Sequence, residues 1–266
     1  NNASLGTMSL RLRGGALFMY DFKPGCITKI NFPSKILDRD VTLSIYLPKD
    51  FTELFKYKII FCFDGADFFS FGRIHRTYEQ LREANEVERA IFVGFHYEDV
   101  DKRRAEFHPQ GARTHLTVKA MANEILPYID QTFPTFKVGN ARILLGDSLA
   151  GSAALITALS YPRIFSQVGL LSPQHDEAIE MLIERCQFKE QLSIWHAVGL
   201  EEEDFKLPTT GKSADFLTPN RKLNQVIEKN DFTYHYLEFE GGHMWKSWKP
   251  LLGDLLKYFL SDNISF

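Results

Sequence analysis

Three cysteines in 266 residues are too few and too scattered to staple a fold. Cys26, Cys62 and Cys186 are odd in number and share no metal-ligand spacing. They read as reduced thiols of a cytoplasmic protein. No run approaches the roughly eighteen apolar residues of a membrane span. Positive charge is not in excess: 31 basic against 34 acidic side chains leave a net charge of −3. That excludes the electrostatic footprint of a nucleic-acid binder and a polybasic membrane anchor. Internal repeats, low-complexity linkers and an apolar leader before a small-residue cleavage site are all missing. What is present is 44% hydrophobic residues, 14% of the chain being aromatic, enough for one large core.

The simplest organisation is one domain over residues 25–266 after an N-terminal segment over 1–24, part of it expected to be a cloning remnant before Met8. The first elements read as strands. Thr28–Phe32 and Val41–Leu47 alternate at period two, and Lys58–Phe63 is a nearly continuous apolar run suited to burial on both faces. Elements then alternate. Helices are expected over 74–84, 115–133 (kinked at Pro127), 149–159, 176–186, 219–229 and 245–260. Strands are expected over 90–95, 141–145, 168–171, 192–198 and 233–239. Such alternation implies an α/β fold: a mostly parallel sheet with helices on both faces. Ligands then belong at the carboxyl ends of the strands.

Three strand ends carry chemistry. In Leu145-Gly146-Asp147-Ser148-Leu149-Ala150-Gly151 a strand runs into a helix through one serine among small residues. A nucleophile there needs a sharp, strained turn, and the helix start offers free N–H groups, Leu149 included, to a developing oxyanion. The same serine also fits a plain helix N-cap. In Gly241-Gly242-His243-Met244-Trp245 a histidine stands before a helix, past two further strands, in the chain order of a general base. Between them, Gly199-Leu200-Glu201-Glu202-Glu203-Asp204 places four carboxylates after a strand end, any one of which could orient the imidazole.

The stretches Phe63-Asp64-Gly65, Arg103-Arg104-Ala105-Glu106-Phe107-His108-Pro109, Gly146-Asp147-Ser148-Leu149-Ala150-Gly151 and Gly241-Gly242-His243-Met244-Trp245-Lys246-Ser247-Trp248 resemble the putative-esterase family. That family includes enterochelin esterases, feruloyl esterases and S-formylglutathione hydrolase. Asp215-Phe216-Leu217-Thr218-Pro219-Asn220-Arg221 is similar to its enterochelin-esterase-like branch. One departure is Ala150, which stands where the usual serine motif has glycine.

The resemblance implies an α/β-hydrolase fold and serine esterase activity on a small-molecule ester, with no cofactor or metal. It places the acid three residues after the glycine that ends its strand, at Glu202, with Glu201, Glu203 and Asp204 as alternatives. It places a second oxyanion donor at the backbone N–H of Ala66. Arg103 and Arg104 are candidates to reach an anionic or catecholate substrate, although a charge run of this kind also fits a solvated loop. Trp248, with Phe68, Phe69, Phe71 and Trp245, is a candidate pocket residue that core packing explains equally well. The expected function is a serine carboxylesterase. The alternatives are a siderophore trilactone esterase, or a catalytically silent or acyl-transferring member of the fold.

Overall fold

The computed structural model describes residues 8–11, 17–207 and 211–261. Its main sheet has eight strands: β1 (Ile27–Ser34), β2 (Arg39–Tyr46), β3 (Lys58–Phe63), β4 (Ala90–Phe95), β5 (Arg142–Asp147), β6 (Gln167–Leu171), β7 (Ser193–Gly199) and β8 (Thr233–Phe239). Their order is β8-β7-β6-β5-β3-β4-β2-β1. The six strands from β8 to β4 are parallel, while β4–β2 and β2–β1 are antiparallel.

The composition of the strands explains this placement. Ile59, Phe61 and Phe63 face one core layer, while Ile60 and Cys62 face the other. A strand apolar on both sides is stable only where helices cover both faces. One layer holds α4 (Thr114–Ala120), α5 (Leu126–Thr132), α6 (Ser148–Ser160), α7 (Glu177–Arg185) and α8 (Leu217–Glu228). The other holds α1 (Gly65–Ser70), α2 (Ile74–Glu83), the short helix α9 (Trp245–Trp248) and α10 (Leu252–Leu260). Near the carboxyl ends lies α3 (Val100–Phe107). Helix α6 is buried from Ala150 to Leu159, so it can be apolar all round. No helix among the described residues is long and apolar enough to cross a membrane.

Two expected helices stay helical but change type along their length. In place of one kinked helix over 115–133, α4 and α5 flank a π turn at Met121–Ile125, and Pro127 falls in the first turn of α5. A proline lacks the N–H that would bond one turn back, and the wider turn before it absorbs the mismatch. In place of one helix over 245–260, a 3₁₀ turn at Lys249–Leu251, carrying Pro250, separates α9 from α10. Within the N-terminal segment, Met8–Arg11 pairs with Leu17–Tyr20 as an antiparallel hairpin, while 1–7 and 12–16 lie outside the described residues.

Candidate active site

The parallel register brings the chemistry to one edge. Strand β5 ends at Asp147, and Ser148 opens α6 with φ 51° in the left-handed region. That conformation costs a non-glycine residue of order 1–3 kcal/mol, and such strain collects at functional sites. It is sterically possible only because residue 146 has no side chain: a Cβ there would lie 2.1 Å from the Ala150 carbonyl oxygen. The missing glycine at 150 is thus immaterial, since the tight contact falls on Gly146.

Across the sheet, β7 and β8 end together, with Gly199 opposite Phe239. The turn after Gly199 is closed by Glu201 N–H donating to the Gly241 carbonyl at 3.1 Å. A Cβ on Gly199 would meet that carbonyl at 2.2 Å. The turn sends Glu202 inward, fully buried, while Glu201, Glu203 and Asp204 face solvent. The loop after β8 carries His243, which is buried beside it.

The three side chains are in line. His243 Nε2 lies 2.9 Å from Ser148 Oγ, and His243 Nδ1 lies 2.7 Å from Glu202 Oε2. Glu202 Oε1 accepts from the Gly199 N–H at 2.9 Å and from Ser172 Oγ at 2.6 Å. Phe216 stacks on the imidazole with ring centroids 3.7 Å apart and planes at 20°. Asn220 secures that phenylalanine: its amide donates to the carbonyls of Phe216 and Pro173, and its oxygen lies 2.7 Å from His196 Nε2. Burial pushes His196 down to about 4, so it stays neutral and structural.

Ala66 lies in the first turn of α1, whose leading N–H groups have no partner within the helix. Cys62 pairs with Leu145 across β3 and β5, so α1 and α6 begin at one level and the N–H groups of Ala66 and Leu149 start from adjacent turns.

The arginines diverge. Arg103 is turned inward, with Nε 3.0 and 2.9 Å from the two carboxylate oxygens of Asp64 and a further bond from its terminal nitrogen. Asp64 is itself left-handed, at φ 56°, just before α1. Arg103 therefore braces the turn that leads to Ala66, with its charge matched by Asp64. Beside this pair, burial first and then the Asp64 charge push the Asp147 carboxyl well above its usual range. Arg104 is exposed and lines a cleft of about 380 Å³ with Asp101, His108 and Gln110. Removing the guanidinium would strand a carboxylate that is 1% exposed. Arg103→Ala is therefore expected to lower unfolding stability by about 3–5 kcal/mol in chemical denaturation; a loss below about 1 kcal/mol would show the pair to be solvated.

Trp248, expected at the substrate pocket, is 3% exposed and makes a T-shaped contact with His243, centroids 4.8 Å apart. Phe68 and Phe69 are buried as well, whereas Phe71 is 60% exposed. Ser172, Phe216 and Asn220 were not singled out as site residues by sequence. Ser172 follows a strand end as Ser148 does, and that position is the only signal the sequence offers for it. Among the described residues no group of three or more His, Cys, Asp or Glu side chains is placed to hold a metal ion.

The family model described as "Putative esterase" matches residues 34–259. The chain belongs to the putative esterase family, and at that level it is a carboxylic ester hydrolase. It is 37% identical over 238 residues to the uncharacterized protein YjcH of Bacillus subtilis (strain 168), covering 90% of this chain and 99% of YjcH. The enterobactin esterase FES of Shigella flexneri, solved in the presence of 2,3-dihydroxy-N-benzoyl-glycine, superposes with TM-score 0.72 at 17% identity. That match covers 90% of this chain, which spans about 60% of the FES chain. A ferulic acid esterase superposes with TM-score 0.72 at 16% identity, covering 90% of this chain and 99% of that one. These likenesses establish the α/β-hydrolase fold.

Proposed function

We propose that the protein is a serine esterase of small carboxylic esters, with residues 25–266 as one catalytic domain and an acyl-enzyme formed on Ser148. One observation carries the reading: an unbroken hydrogen-bonded line from Ser148 through His243 to a buried carboxylate, beginning at a left-handed strand-to-helix turn. His243 Nε2 takes the Ser148 proton as Oγ attacks the ester carbonyl. The N–H groups of Leu149 and Ala66 receive the oxyanion. Collapse breaks the ester C–O bond, and the departing alkoxide takes the proton from His243. Water then attacks the acyl-enzyme by the same route, releasing the acid and restoring Ser148. Glu202 holds the imidazole and stabilises its charged form.

The second reading is hydrolysis of a catecholate trilactone, which the enterobactin esterase likeness brings to mind. The placement of Arg103 weighs against it, because its charge is matched by Asp64 and, of the two arginines, Arg104 alone faces solvent. The test compares kcat/KM for a short-acyl aryl ester and for a catecholate trilactone, in wild type and Arg104→Ala. The aryl ester is expected to be turned over readily and to be unaffected by the substitution within about twofold. Turnover of the trilactone alone, lost selectively in Arg104→Ala, would replace the proposed substrate class with the siderophore reading.

A further inference from the structure

The hydrogen bonds around Glu202 all run towards its carboxylate, which can only accept, and one chain of them begins at an indole. A Trp N–H can only donate. Trp248 Nε1 donates to Ser172 Oγ at 3.0 Å, so the serine hydroxyl must direct its own proton elsewhere. It directs it to Glu202 Oε1, 2.6 Å away. The Gly199 N–H donates to the same oxygen. With Oε1 occupied by two donors, Oε2 is left to accept from His243 Nδ1 at 2.7 Å. The imidazole proton therefore sits on Nδ1, and the bare Nε2 faces Ser148 Oγ.

We propose that Ser172 and Trp248 are positioning residues that hold the Glu202 carboxylate in the orientation from which it fixes the working tautomer of His243. The inference rests on the serine-triad reading. Neither residue touches the reacting atoms. Ser172 is fully buried with φ 46°, so its backbone is strained where a glycine would be at ease, and the hydroxyl is what a glycine would lack. Trp248 begins the chain with its N–H and packs against His243 in a T-shaped contact, its ring at 81° to the imidazole plane.

The experiment uses Ser172→Gly and Ser172→Ala, which remove the hydroxyl with and without relief of the backbone, and Trp248→Phe, which keeps an aromatic ring but no N–H. The Ser172→Gly/Trp248→Phe double variant and Ser148→Ala complete the set. Steady-state kinetics on an aryl ester are read together with the downfield proton resonance of His243 Nδ1. Loss of the hydroxyl is expected to lower kcat about ten- to a hundredfold while KM changes by less than about twofold. Trp248→Phe is expected to give a smaller loss in kcat, and the Nδ1 resonance is expected to move in every positioning variant. The double variant should be no slower than Ser172→Gly, because both act through one chain. Wild-type kcat in Ser172→Gly overturns the inference, as does an unmoved resonance or multiplied losses in the double variant. If Ser148→Ala is inactive when that happens, the positioning role alone fails. If Ser148→Ala retains activity, the triad reading fails and takes this inference with it.

Discussion

Ser148→Ala is expected to reduce ester hydrolysis by about 10⁶-fold, to the residual rate supplied by binding and oxyanion stabilisation. A fluorophosphonate probe should label Ser148 in wild type and nothing in the variant. The expectation follows from geometry, since Ser148 is the hydroxyl within 2.9 Å of His243 Nε2. Its placement depends on a left-handed residue at the start of α6, where alanine would be strained as serine is and glycine would not. Ser148→Gly should thus be as inactive as Ser148→Ala while melting no lower than wild type. That pairing separates loss of the nucleophile from loss of fold. Labelling at another serine, with Ser148→Ala still active, would sink the assignment.

How far the sequence could carry this conclusion differs from element to element. The strands over 58–63 and 90–95 have the bounds that their apolar runs suggest, because a central strand is apolar throughout and ends where polarity returns. Helix α3 went unexpected because Val100–Phe107 has almost no apolar stripe. A local cap and two distant partners hold it instead: Asp99 caps its start by accepting from the Lys102 N–H, buried Glu106 is paired with Arg39, and Arg103 with Asp64. Neither ion-pair partner is near enough in sequence to show as periodicity, and the cap is a single residue.

The proposed acid illustrates the same limit at finer scale. Four carboxylates stand side by side at 201–204, and composition treats them alike. Only the turn after Gly199, pinned by the Gly241 carbonyl from the loop after β8, decides that the third residue points inward. Ser172 shows the same limit: a serine after a strand is ordinary until the fold sets it against Glu202, whereas Phe216 lies in the Asp215–Arg221 stretch that carries the resemblance, without a role legible there.

Glu202→Gln is expected to lower kcat by about 10⁴-fold with the fold intact, the scale of loss a wrong imidazole tautomer brings. Shape is preserved, but the hydrogen bonds cannot be. The carboxylate accepts at both oxygens, from Gly199 and Ser172 at Oε1 and from His243 at Oε2. A glutamine has one acceptor oxygen and one donor nitrogen. Two fixed donors compete for that oxygen at the Oε1 position, one of them a backbone N–H that cannot turn away. The amide nitrogen then falls against His243 Nδ1. Two donors cannot face each other there, so the imidazole proton moves to Nε2, where it confronts the Ser148 hydroxyl and can accept nothing from it. Glu201→Gln, Glu203→Gln and Asp204→Asn leave this arrangement untouched, because all three side chains face solvent. They are expected to stay within about twofold of wild type. Steady-state kinetics on one aryl ester, with circular dichroism to verify folding, suffices. A near-normal Glu202→Gln beside a crippled neighbour would move the acid to that neighbour.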